Sequence, residues 1–175
     1  YYTFTTNSIL DINDVLISRT GYTGELGYEL YVKNKDVKKL WDILFSNEDT
    51  LKPIGLAARN TLRLEKGFCL YGNDINDTTS PLEAGLGWIT DLSTNFINSS
   101  NLKKQKENGL EKSLIGFEII GKGIARQDYE VYNSNNEKIG IVTSGSMSPS
   151  LNKAIGMAYI KVSEIQINNN LLVKV

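Results

Sequence analysis

The chain predicts an α+β fold, with helices before residue 109 and a strand-built second part read as an antiparallel sandwich or barrel. Two observations carry this. Between residues 34 and 67, apolar residues recur at helical spacing and are punctuated by Pro53, Gly55 and Gly67. After residue 113, five short β-branched and apolar runs (114–120, 129–132, 138–143, 155–160 and 171–175) are separated by turn residues.

Taken in order, Tyr1 to Leu10 alternates like a strand, and Asp14 to Ser18 and Tyr28 to Val32 flank a Gly-rich connection, Gly21 to Gly27. Asn34 or Asp36 can cap a helix whose apolar face is Val37, Leu40, Trp41 and Leu44, the i, i+3, i+4, i+7 template. Pro53 and Gly55 precede a second helix, Leu56 to Glu65, with Gly67 placed to terminate it. Pro81 to Leu92 reads as extended, with Leu86, Trp88 and Ile89 buried. Ser99 or Ser100 can cap a short polar helix ended by Gly109. Asn133 to Asn136 is a hairpin signal between two runs, Asn168 to Asn170 a second turn, and Thr143 to Leu151 a hydroxyl-rich loop read as a simple turn. The domain boundary falls near Asn108 to Lys112, giving an α/β region at 1–108 and a β region at 109–175.

Composition narrows the function classes. Nineteen basic against 20 acidic residues leave a net charge of -1, which gives no general attraction to nucleic acid or to an anionic membrane. Zero histidines and one cysteine exclude His-dependent triads, Cys-based zinc clusters and an internal disulfide, so no metal site is expected. No apolar run approaches the roughly 20 residues that span a bilayer, and Tyr1 to Leu10 lacks the pattern of a signal peptide. A reducing, cytoplasmic setting is the expectation. The absence of an initiator Met and the strand-like last residues read as ends cut from a longer protein.

The glycines of the 21–27 loop match neither a Walker pattern nor a dinucleotide fingerprint, since a strand follows where those motifs open a helix. Taken alone the loop reads as a glycine-permitted connection between two strands, and its neighbours bring in the reading of a site. Tyr22 and Glu29 flank it, and a carboxylate on a strand beside an aromatic ring suits a flat, nitrogen-rich ligand such as a pterin or guanine. A solvent-facing strand residue is the alternative for Glu29. Arg59 and Arg63 lie one helical turn apart, so an anionic group must answer them, either a ligand or a carboxylate such as Glu29, Asp74 or Glu83. Cys69 has no histidine to activate it and reads as a buried structural thiol.

The segments SRTGYTGELGYEL (18–30), GLAARNTLRLEKG (55–67), CLYGNDI (69–75), SPLEAGLGW (80–88) and IGIVTSGSMSPSL (139–151) together resemble the T-protein of the glycine cleavage system, a tetrahydrofolate-dependent aminomethyltransferase, through nearly the whole chain. The resemblance implies an incomplete ferredoxin-like α/β unit followed by an incomplete antiparallel Greek-key β-barrel. It implies transfer of an aminomethyl group from the dihydrolipoyl arm of lipoylated H-protein to tetrahydrofolate, giving 5,10-methylenetetrahydrofolate and ammonia. The family's pterin-gripping glutamate, its pocket tyrosine and its folate-contacting arginine match Glu29, Tyr22 and Arg59. The family's key aspartate belongs to a segment upstream of Tyr1, so no catalytic residue is expected within this chain, which alone is expected to be inactive. Asn60 stands where the family's motif has Asp, removing a charge. The C-terminal parts of dimethylglycine and sarcosine dehydrogenases share the scaffold but tend to carry a Trp-Gly pair where this chain has Tyr71 and Gly72. A folate-binding accessory protein of iron-sulfur cluster assembly, without transferase activity, is the alternative. Its Lys-Gly-Cys-Tyr-x-Gly-Gln signature is only approximated by KGFCLYGN at 66–73.

Overall fold

The computed structural model describes residues 1–47, 49–165 and 170–174. It contains two compact units, Tyr1–Lys66 and Gly67–Val175. Helix and sheet are mixed as expected, and each unit carries one antiparallel sheet that is open among the described residues.

In the first unit, β1 (Phe4–Ile9), β2 (Ile12–Ser18) and β3 (Glu29–Tyr31) form a three-stranded sheet in that order. β2 buries Ile12 and Val15, three residues apart, which strict alternation would put on opposite faces. The register explains it: Ile9 pairs with Ile12 but Asn7 with Val15, so β2 carries one extra residue, and Asp14 takes a positive φ of 60° there. Against this face packs α1 (Val37–Asn47) through Leu40, Ile43 and Leu44, with Ile17, Leu30 and Val32 around them. Burying a side chain such as Val15 contributes about 1.5–3 kcal/mol. The expected face of α1 is therefore rotated: Val37 and Trp41 are half exposed, and Trp41 stacks on Phe45 at 4.5 Å instead of entering the core. Nor does the helix begin at a simple cap, since a 3-10 turn, Asn34–Asp36, leads into it. α2 (Leu56–Glu65) follows after Gly55, and Gly67 has a positive φ of 71° just past its end.

The second unit opens with turns. Pro81 to Leu92 is not extended: it holds a 3-10 turn, Gly87–Ile89, and Trp88 and Ile89 are exposed at 77% and 59%, while Leu86 is partly buried. Local bonds override the strand pattern. Ser80 N–H donates to Glu83 Oε2 (3.0 Å), Glu83 N–H donates to Ser80 Oγ (3.1 Å), and Thr90 Oγ1 donates to the Leu86 carbonyl (2.9 Å). In α3 (Ser99–Asn108) the N-cap position is held by Asn98 at φ 70°, not by a serine and without a side-chain bond to a helix N–H, and the Asn98 side chain accepts from the Asn101 side chain (2.6 Å).

The sheet of this unit runs β4-β7-β6-β5-β8, from β4 (Lys112–Glu118), β5 (Glu130–Tyr132), β6 (Lys138–Ser148), β7 (Lys153–Lys161) and β8 (Leu172–Val173). The turn at Asn133 to Asn136 is a hairpin turn, as expected. Asn133 Oδ1 accepts the N–H groups of Asn135 (3.1 Å) and Glu137 (3.0 Å), and Asn136 supplies a φ of 62°. Val131, Ile139, Val142, Ala158 and Ile160 form the core. Thr143 to Leu151 is not a simple turn, because β6 continues to Ser148. A register shift between Val142 and Ser144 buries three consecutive side chains, Val142, Thr143 and Ser144. Of the last run and the second Asn turn, Asn168, Asn169 and Val175 lie outside the described residues.

Candidate functional site

The loop from Arg19 to Glu29 connects β2 to β3, whose pairing sets Ser18 opposite Glu29. Its two ends are organised by hydroxyl and ring contacts. Thr20 Oγ1 donates a short hydrogen bond to Glu29 Oε2, and Tyr31 OH donates to the same oxygen at 3.4 Å. Ser18 Oγ lies 2.9 Å from Thr20 Oγ1. Arg19 stacks over the Tyr28 ring with 4.4 Å between guanidinium carbon and ring centroid. Gly24 takes φ +80°, and a Cβ there would fall 2.1 Å from Lys66 Cγ, so the lysine stem lies across the loop.

α2 brings Arg59 to the same loop. Its guanidinium stacks over the Tyr22 ring at 4.4 Å, a contact worth about 0.5–1 kcal/mol at an exposed site. Tyr22 and Arg59 are thus in direct contact. Glu29 is joined to this pair through the loop, since its partner Thr20 lies two positions before Tyr22. Arg63, one turn further along α2, is only 1% exposed and donates from Nε to Asn60 Oδ1 at 2.9 Å. Asn60 therefore still serves as an acceptor for an arginine, without a charge of its own. The two arginines share a helix side but not an environment: Arg59 is exposed on an aromatic ring and Arg63 is buried.

The second unit holds a polar cluster that the sequence reading missed. Asp74, 1% exposed, accepts the Leu70 N–H (2.9 Å) and the Ser144 hydroxyl (3.0 Å) at Oδ2 and the Thr143 hydroxyl at Oδ1. Tyr159 OH donates to the Asp74 carbonyl at 2.8 Å. Burial, reinforced by the nearby Cys69, Glu83 and Asp74, pushes the Tyr159 phenol above the ordinary tyrosine range, against an opposing hydrogen bond from Thr79. A signal was present, because CLYGNDI and TSGS put an acid and hydroxyls inside apolar runs, where buried polar groups need partners. Cys69 is partly buried. Among the described residues no group of His, Cys, Asp and Glu could hold a metal ion, and no helix is long and apolar enough to cross a membrane.

Residues 1–94 match the GCVT N-terminal domain family, and residues 112–175 match the glycine cleavage T-protein C-terminal barrel domain. The chain belongs to the glycine cleavage T-protein family. Among T-protein relatives, the aminomethyltransferase of Flavobacterium psychrophilum is 51% identical over 100% of this chain and 49% of its own length. That of Bacteroides fragilis is 53% identical over 92% of this chain and 46% of its own. The crystal structure of the glycine cleavage system aminomethyltransferase T from Bartonella henselae superposes with a TM-score of 0.87 at 29% identity, covering 93% of this chain and 46% of that one. The chain thus spans about half the length of the T-protein relatives it matches.

Proposed function

We propose that this chain supplies the folate-contacting face of an aminomethyltransferase of the glycine cleavage system, which moves an aminomethyl group from the dihydrolipoyl arm of H-protein to tetrahydrofolate. The products are 5,10-methylenetetrahydrofolate and ammonia, and the activity is that of the full-length protein. The reading rests on one arrangement: a single loop joins an aromatic ring capped by a guanidinium, Tyr22 under Arg59, to a carboxylate, Glu29.

That donor and acceptor set fits a reduced folate. Glu29 spends Oε2 on Thr20 and Tyr31, while Oε1 has no hydrogen-bond partner among the described residues. An ionised carboxylate only accepts, and Oε1 is available to the ring N–H and amino groups of a pterin. Tyr22, on the same loop, offers a flat ring. Arg59 presents guanidinium N–H groups that can serve a carbonyl or carboxylate while its face rests on the ring. Tetrahydrofolate, when bound, supplies the nitrogens that take up the one-carbon unit.

H-protein as the partner and a cytoplasmic setting belong to the same proposal, supported by family membership and by a net charge that favours neither nucleic acid nor membrane. So do the domain limits 1–108 for the folate-binding region and 109–175 for the barrel. The test is Glu29→Gln in the full-length protein, which keeps shape but removes the charge. Losing one charge-assisted hydrogen bond corresponds to about 10–100-fold weaker tetrahydrofolate binding by calorimetry. Unchanged affinity overturns the reading.

A further inference from the structure

Glu29 is an oriented carboxylate, and the group that orients it comes from outside its own strand. Thr20 lies two residues beyond β2, where the chain has left the ladder, and its side chain returns to the first residue of β3. A threonine hydroxyl has one proton and two lone pairs. Its proton is committed to Glu29 Oε2, so in the 2.9 Å contact with Ser18 it must accept, and Ser18 donates. The chain of bonds therefore runs in one direction, from Ser18 to Thr20 to Glu29. Tyr31 adds a longer bond of 3.4 Å to the same oxygen. Every hydrogen bond that the Glu29 carboxylate receives among the described residues lands on Oε2, and none on Oε1.

A glutamate at a strand end would otherwise sample several rotamers, since its long side chain loses entropy only when fixed. Here Oε2 is pinned, which restricts the carboxylate, and Oε1 carries no hydrogen bond among the described residues. Tyr22, two residues after Thr20, stacks under Arg59, so the segment that anchors the carboxylate also carries the aromatic wall.

We infer that Thr20 is a positioning residue of the site: its hydroxyl fixes one oxygen of Glu29 so that the other reads an N–H donor of the bound ligand. This rests on the folate reading of Glu29, for which the donor is the 2-amino group of the pterin. Thr20 does not touch the ligand in this scheme and acts only through Glu29.

The test uses the full-length protein in three forms: unchanged, Thr20→Val, which keeps the branched shape without the hydroxyl, and Thr20→Ser, which keeps the hydroxyl. Dissociation constants are measured by calorimetry for tetrahydrofolate and for its 2-desamino-2-methyl analogue, which cannot offer the amino donor. Circular dichroism and thermal melting check that each variant folds. The unchanged protein discriminates between the two ligands, Thr20→Val loses about tenfold of that discrimination, the scale of one charge-assisted bond, and Thr20→Ser restores it. In turnover the effect of Thr20→Val falls on KM for tetrahydrofolate more than on kcat. A variant that is merely less stable would weaken both ligands alike and leave their ratio intact, which overturns the inference. So would a Thr20→Ser protein that behaves like Thr20→Val. If the unchanged protein binds tetrahydrofolate yet the ratio ignores Thr20, only this inference fails. If it binds no tetrahydrofolate, the folate reading itself fails, and this inference with it.

Discussion

Replacing Asp74 with Ala should unfold the second unit more readily than any single hydroxyl deletion around it. Three of the bonds the carboxylate accepts come from Leu70 N–H and Ser144 Oγ at Oδ2 and from Thr143 Oγ1 at Oδ1. Hydrogen bonds to a charged group contribute about 1.5–3 kcal/mol each, so simple addition gives about 5–9 kcal/mol. Two effects reduce that figure. Bonds sharing one acceptor are not independent, and removing the carboxylate also removes the cost of burying it, which is several kcal/mol. Thr143 keeps its 3.2 Å bond to the Met157 carbonyl, whereas the partly buried Leu70 N–H loses this acceptor. The net expectation is a loss of about 3–5 kcal/mol for Asp74→Ala. At roughly 2–4 °C per kcal/mol for a chain of this size, the melting temperature falls by about 6–20 °C. Ser144→Ala, which deletes one donor and leaves the acceptor served by others, should cost about 1–2 kcal/mol. Urea unfolding with linear extrapolation, checked by calorimetry, measures both. An Asp74→Ala protein within about 1 kcal/mol of the unchanged one, or no less stable than Ser144→Ala, would show that the cluster is not the anchor described here.

Gly24→Ala should cost about 1–3 kcal/mol in denaturant unfolding, because an L side chain is strained at φ +80° and its Cβ would overlap the Lys66 stem. Adding Lys66→Ala should recover the steric part and leave the torsional part, so the double variant unfolds at higher denaturant than Gly24→Ala alone. Tyr159 has its phenol raised by burial, so the neutral form is the one the folded protein favours. Its stabilising contribution is complete below the unfolded tyrosine value of about 10 and is lost as pH climbs from there toward the raised folded value. Titration at 295 nm should show one phenol ionising above the ordinary tyrosine range that is lost in Tyr159→Phe, and the same variant should flatten the alkaline fall in stability.

Much of this was legible from residue order. The second helix and its terminating glycine, the hairpin at Asn133 and the strand-loop-strand around Gly21 to Gly27 each follow from local rules, and local bonds made them as written. The misreadings share a cause. Trp88 and Ile89 look like core residues by hydropathy, yet the reciprocal bonds of Ser80 and Glu83 fix a turn that leaves both exposed. Val37 and Trp41 fit the helical template, but the extra residue in β2 decides which stripe of α1 meets the sheet. At the site, Tyr22, Glu29 and Arg59 were visible as residue types, and the stacking of Arg59 on Tyr22 was not, because it depends on where α2 passes the loop. The Asp74 cluster was hidden for the same reason, its acceptor and its hydroxyls lying on segments that only tertiary folding brings together.

Those separations have a kinetic meaning. The hydroxyls that serve Asp74 lie 69 and 70 residues downstream, and the phenol on its carbonyl lies 85 residues downstream. A short turn after α2 thus borrows its order from two strands made much later by the ribosome. Until β6 and β7 have paired, that turn lacks the Thr143, Ser144 and Tyr159 bonds and keeps local ones such as Leu70 N–H to Asp74, and closing so long a chain span comes late in folding and slowly. The acid at its centre acts as a clasp that shuts only when the sheet behind it is finished.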